Sequence, residues 1–158
     1  MRIRVPSHVL SLEPYAPGKP VEELERELGI SGSIKLASNE NPLGPSPLAI
    51  RAARQALSGA HRYPDGGGFY LKRKLSERLG IPSDSIVLGN GSTELVELLA
   101  KAFIGPADNA VVSEGAFIMY RIAVASVGGA CHLAPMTRDL RHDLDAMGAR
   151  IDAQTRLV

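Results

Sequence analysis

The chain has one cysteine, no apolar run long enough to cross a membrane and almost no net charge, and each lack removes a class of function. Cys131 alone can form neither an internal disulfide nor a cysteine-based zinc site. It stands in the apolar run Ala130-Cys131-His132-Leu133, the setting of a small core residue rather than of a reactive thiol. No stretch approaches the roughly 18 consecutive apolar residues of a membrane helix. Met1-Arg2-Ile3-Arg4-Val5-Pro6 lacks the apolar core and cleavage site of a secretory leader, so a soluble, cytoplasmic protein is expected. Eighteen basic against seventeen acidic residues leave a net charge of +1, and no global field draws nucleic acid or an anionic membrane. His8, His61, His132 and His142 show no i, i+4 pair and no ligand cluster, so no metal is expected; His132 alternates within a strand pattern and reads as structural.

What is present is 158 residues of ordinary globular composition, 44% apolar and 22% charged, enough for about one domain with a core. Pro6, Pro14, Pro17 and Pro20 predict an extended arm over the first 20 residues. Helices are expected at 21–28, 47–58 and 69–79, each followed by a glycine stop, with a short strand at 34–37. The second half has a different rhythm. Strands are expected at 86–88, 110–112, 130–134 and 156–158, and helices at 92–103, 117–127 and 144–151. Strand alternating with helix predicts an α/β fold, a mainly parallel sheet with crossover helices. The sequence ends within an apolar strand, which predicts a sheet incomplete at its C-terminal side, the front of a larger α/β protein.

Four loops can carry chemistry. In Leu88-Gly89-Asn90-Gly91-Ser92-Thr93-Glu94, a strand ends, glycines turn the chain and a helix opens on two hydroxyls. Free N–H groups and the positive dipole end suit a phosphate there. The same residues also serve as plain helix caps, and Glu94 and Glu97 oppose an anion unless their carboxylates point away. The spacing is neither a Walker loop nor GxGxxG. Asn39-Glu40-Asn41-Pro42-Leu43-Gly44-Pro45 can hold a polar substrate or simply form an Asx turn. Tyr63, in Arg62-Tyr63-Pro64-Asp65-Gly66, can donate into a site or pack on the next helix. Phe117 follows a strand, where ligands of open α/β sheets bind, and can stack on a planar ligand or fill the core.

These loops, taken together and in this order, resemble the N-terminal part of a fold-type I, pyridoxal-phosphate-dependent aminotransferase of class I/II, most of all the histidinol-phosphate aminotransferases. The resemblance runs from Pro14-Tyr15-Ala16-Pro17-Gly18 through Lys35–Pro45, Arg62–Gly66 and Gly89–Glu94 to Phe117–Tyr120 and the last residue. It implies an arm with a short helix over 1–33 and an incomplete cofactor-binding large domain over 34–158. It implies pyridoxal 5′-phosphate as cofactor, with Gly91, Ser92 and Thr93 around its phosphate and Phe117 on its ring. Tyr63 would reach the cofactor phosphate of the other subunit in a homodimer. Tyr15, Asn39, Glu40 and Asn41 would lie on the substrate side. The implied substrates are histidinol phosphate and 2-oxoglutarate, in histidine biosynthesis. A sibling enzyme acting on aromatic amino acids or another phosphorylated amino alcohol, and a non-catalytic remnant, are the alternatives.

The resemblance also brings a departure. The lysines are Lys19, Lys35, Lys72, Lys74 and Lys101, and none lies in the family's serine-lysine motif. The partner of the pyridine nitrogen and the carboxylate-binding arginine are likewise not matched. No catalytic residue is therefore assigned, and the 158 residues alone are expected not to transaminate.

Overall fold

The computed structural model describes residues 4–36 and 38–158. Residues 1–3 of the expected arm and Ala37 of the expected strand lie outside the described residues. In chain order the helices are α1 (Ser7–Leu10), α2 (Val21–Leu28), α3 (Pro47–Ala56), α4 (Phe69–Leu79), α5 (Gly91–Phe103), α6 (Met119–Ser126) and α7 (Leu144–Gly148). The strands are β1 (Asn109–Ser113), β2 (Ala130–Ala134) and β3 (Thr155–Leu157). The chain forms two units, Met1–Tyr15 with Leu88–Val158, and Ala16–Val87.

The first unit holds the sheet, with strand order β2-β1-β3 and every pairing parallel. β1 and β2 run in register from Asn109↔Ala130 to Ser113↔Ala134, and the β1–β3 ladder shifts between Asn109 and Ala110. All five residues of β1 are buried, as a central parallel strand requires. Ala110 and Val112, two apart and so on one face, pack with Ile104 and Val124. Cys131 and Leu133 lean on the same cluster. Cys131 is half-buried, and that burial pushes its thiol pKa up. The α/β architecture expected from strand–helix alternation is the observed one.

The second unit carries α2, α3 and α4, with a 3₁₀ turn over Leu57–Gly59 continuing α3. Proline at the first position of α3 starts that helix without losing a bonded N–H. Asp65 organises the loop before α4: its carboxylate accepts from Phe69 N at 2.8 Å and Gly67 N at 2.9 Å. Those amide donors, Phe69 first, hold its carboxyl below the usual carboxylate range.

Two expected strands do not form. Residues 34–36 are not paired, and Ile34 and Leu36 are almost fully exposed. Residues 86–88 are extended at Ile86 (φ −110, ψ 121) yet join no ladder among the described residues. A strand needs a neighbour for its backbone groups, and β-type composition alone does not supply one. Helix α6 begins at Met119 rather than 117, which leaves Phe117 in the loop that follows β1.

Candidate functional site

The site in the first unit is built on two chain reversals, the entry to α5 and the loop after β1. Gly91 opens α5 at φ +78, a backbone conformation that a side chain would strain. A Cβ there would meet nothing within 4 Å, so the cost of a side chain lies in the backbone conformation and not in crowding. Gly91 N donates to Gly89 O at 2.9 Å. The backbone N–H groups and hydroxyls of Ser92 and Thr93 have no acceptor among the described residues, and Asn90 makes no side-chain cap. A helix end with unmatched donors and a positive dipole is an anion site in chemical terms.

The two glutamates of this turn behave differently. Glu97 pairs with Lys101 at 3.3 Å, down the helix and away from the entry. Glu94 folds back and accepts from both Asn90 N and Asn90 Nδ2. Its carboxylate therefore stays at the helix entry and opposes an anion there.

At the carboxyl end of β1, Ser113 is 2% exposed and its hydroxyl has no hydrogen-bond partner among the described residues. Beyond it, Phe117 is 42% exposed. Tyr15 meets the Phe117 ring edge-to-face at 6.3 Å, and Tyr120 meets it the same way at 6.1 Å. The sequence offers Tyr120 only as the end of the Phe117–Tyr120 segment and does not single out Ser113. Tyr120 stands three residues after Phe117 in the sequence, whereas nothing local marks Ser113. An apolar cavity of about 360 Å³ lies between α5, β1, α6 and α7, walled by Val96, Leu99, Tyr120, Leu144 and Met147.

Tyr15 and Phe117 are thus together in the first unit, which also holds Gly91, Ser92 and Thr93. Asn39, Glu40, Asn41 and Tyr63 belong to the second. There Asn41 closes its own turn, accepting from Leu43 N and donating to Gly44 O, both at 3.1 Å. Glu40 pairs with Lys35 at 3.2 Å. Asn39 is exposed and has no side-chain partner among the described residues. Tyr63 is fully exposed. No group of three His, Cys, Asp or Glu able to hold a metal occurs among the described residues, and no described helix is long and apolar enough to cross a membrane.

Residues 31–158 match the sequence pattern of the family described as aminotransferase class I and II. The chain belongs to that family. Among its curated relatives, the histidinol-phosphate aminotransferase of Anaeromyxobacter sp. (strain Fw109-5) is 46% identical over 154 residues, covering 98% of this chain and 42% of the relative. Histidinol-phosphate aminotransferase 2 of Pseudomonas aeruginosa is 53% identical over 152 residues, covering 95% of this chain and 41% of the relative. The crystal structure of histidinol-phosphate aminotransferase from Sinorhizobium meliloti, solved in complex with pyridoxal 5′-phosphate, superposes with a TM-score of 0.82 at 28% identity. That match covers 96% of this chain and 40% of the other. The chain therefore spans about two fifths of the length of the relatives it matches.

Proposed function

We propose that this chain is the part of a histidinol-phosphate transaminase that holds the phosphate and ring of pyridoxal 5′-phosphate. The whole protein would move an amino group between histidinol phosphate and 2-oxoglutarate. The observation that carries the reading is the unmatched donor set of Ser92 and Thr93 at a helix entry opened by Gly91. The names of the relatives support the choice of substrate. The donor chemistry fits the cofactor: a phosphate monoester needs N–H and O–H donors in a concave turn, and a pyridine ring needs an exposed aromatic face.

When bound, pyridoxal 5′-phosphate supplies the electron sink for chemistry at the substrate Cα. The chain's own residues do the holding. Ser92 and Thr93 would donate backbone and hydroxyl hydrogens to the phosphate, and the α5 dipole would add to the attraction. Phe117 would cover one ring face and exclude water from it. Tyr15, beside Phe117, would meet the substrate end, with Asn39, Glu40 and Asn41 on the substrate side. Tyr63 would donate to the cofactor phosphate of a second copy, which makes the working form a homodimer. Residues 34–158 then act as the cofactor-binding large domain behind an N-terminal arm and helix over 1–33. A soluble, cytoplasmic setting belongs to the same reading.

The same reading makes the chain by itself inactive. The first unit contains one lysine, Lys101, ten residues along α5 from Gly91 and engaged with Glu97. At 1.5 Å per residue, that is about 15 Å from the phosphate turn. Titration of the purified chain with pyridoxal 5′-phosphate, followed by visible absorbance, tests the proposal. Saturable binding that inorganic phosphate competes away supports it, and absence of binding by a folded chain overturns it.

A further inference from the structure

Phe117 sits in a loop, is more than a third exposed, and yet touches an aromatic ring in each of two other segments. An exposed phenylalanine in a loop ordinarily samples several rotamers. Here Tyr15 and Tyr120 meet it at interplanar angles of 84° and 83°. No such contact joins Tyr15 to Tyr120 among the described residues, so the two rings reach Phe117 separately. Tyr120 is also tied to the loop backbone, since its N–H donates to Phe117 O at 3.1 Å. Neither phenol oxygen has a hydrogen-bond partner among the described residues, so both tyrosines act here through their rings.

We propose that Tyr120 is a positioning residue that, with Tyr15, fixes the ring plane of Phe117 so that the ring is held ready-made for a planar heteroaromatic ligand. The proposal rests on the assignment of Phe117 as a ring-stacking residue made above. Edge-to-face contacts use the positive ring edge against the negative face, so they hold an orientation that burial alone would not. A ring already oriented loses less freedom on stacking, and the ligand binds more tightly for it.

The test compares Tyr120→Leu, Tyr120→Phe and Tyr15→Leu in the full chain, with pyridoxal 5′-phosphate as the probe. The first readout needs no ligand: the ring-proton resonances of the three phenylalanines, with Phe117 assigned by Phe117→Leu. Tyr120→Leu is expected to shift the Phe117 signals and leave Phe69 and Phe103 in place, while Tyr120→Phe restores them. Pyridoxal 5′-phosphate binding should weaken about three- to tenfold in Tyr120→Leu and stay near wild type in Tyr120→Phe. Tyr15→Leu, which leaves α6 untouched, should reproduce both effects and covers the case in which Tyr120→Leu fails to fold. Unmoved Phe117 resonances in the folded leucine variants, or moved resonances with unchanged affinity, would overturn the proposal. Failure of the wild-type chain to bind the probe would instead strike the proposed function, and the ring resonances would still decide whether Tyr120 orients Phe117.

Discussion

The side-chain amide of Asn109, at the start of β1, donates to Asp152 Oδ1 at 2.8 Å across 43 residues of chain. Asn109 is buried, and its Oδ1 accepts from Thr155 Oγ1 at 2.8 Å. Asp152 also accepts from Gln154 N at 2.9 Å, and His132 Nδ1 lies 4.0 Å from its other oxygen. The group pins β3 to β1 at the end of the sheet opposite Ser113.

This pin makes the first prediction. The hydrogen bond from Asn109, ahead of those from Gln154 and Thr155, holds the Asp152 carboxyl below its ordinary value of 3.8. A depressed folded-state pKa contributes stability that is present above the unfolded value and is lost as pH falls through the folded one. Below about pH 4, wild type should therefore lose stability that Asp152→Asn never had. Denaturant melts of the two at pH 7 and pH 3 check this, and equal acid sensitivity would refute it.

The entry to α5 makes the second. Ser92→Ala and Thr93→Ala should each weaken pyridoxal 5′-phosphate about tenfold, since each removes a donor to a charged group. Gly91→Ala should weaken it too and lower stability by about 1 kcal/mol, because it forces a Cβ into left-handed backbone. Isothermal titration and thermal melts separate the two effects.

Glu94 is the odd member of that turn. Glu94→Gln keeps an acceptor for Asn90 while removing a negative charge from the helix entry. Affinity for inorganic phosphate or for the cofactor should rise about two- to fivefold, the size of a charge–dipole contribution at an exposed helix end. The gain should shrink in high salt. A fall in affinity would mean that Glu94 serves the ligand rather than opposing it.

Borohydride reduction of the chain with pyridoxal 5′-phosphate, followed by peptide mapping, should give no stoichiometric adduct on any of the five lysines. Lys101 is the decisive position, because it alone shares the first unit with Gly91 and Phe117. A single adduct accompanied by turnover of histidinol phosphate would show that the chain is active by itself.

Gly129 stands where β2 meets the end of α5. A Cβ there would lie 2.2 Å from Ile104 Cγ2 and 3.2 Å from Val124 Cγ1. Gly129→Ala should destabilise the first unit by about 1–3 kcal/mol through overpacking of that cluster, read as a lower denaturation midpoint. An unchanged midpoint would mean that the cluster yields at no measurable penalty.

Much of this protein was readable along the chain. Helices 21–28 and 69–79 and strand 130–134 lie where apolar spacing and glycine stops put them, because those signals act within a few residues. The same local chemistry marked Gly91, Ser92, Thr93 and Phe117 as candidates. Tertiary structure decided what depends on distant partners. Residues 34–36 and 86–88 carry strand composition but form no strand, since a ladder needs a neighbour that composition cannot name. Asn109 met Asp152, and Tyr15 met Phe117, only once the sheet and the loops around it were in place. Sequence determined the helices, the turns and the inventory of donors, because those follow from local backbone preference. Folding alone decided which donors were left unmatched and which rings touch, because both depend on residues far apart in the chain.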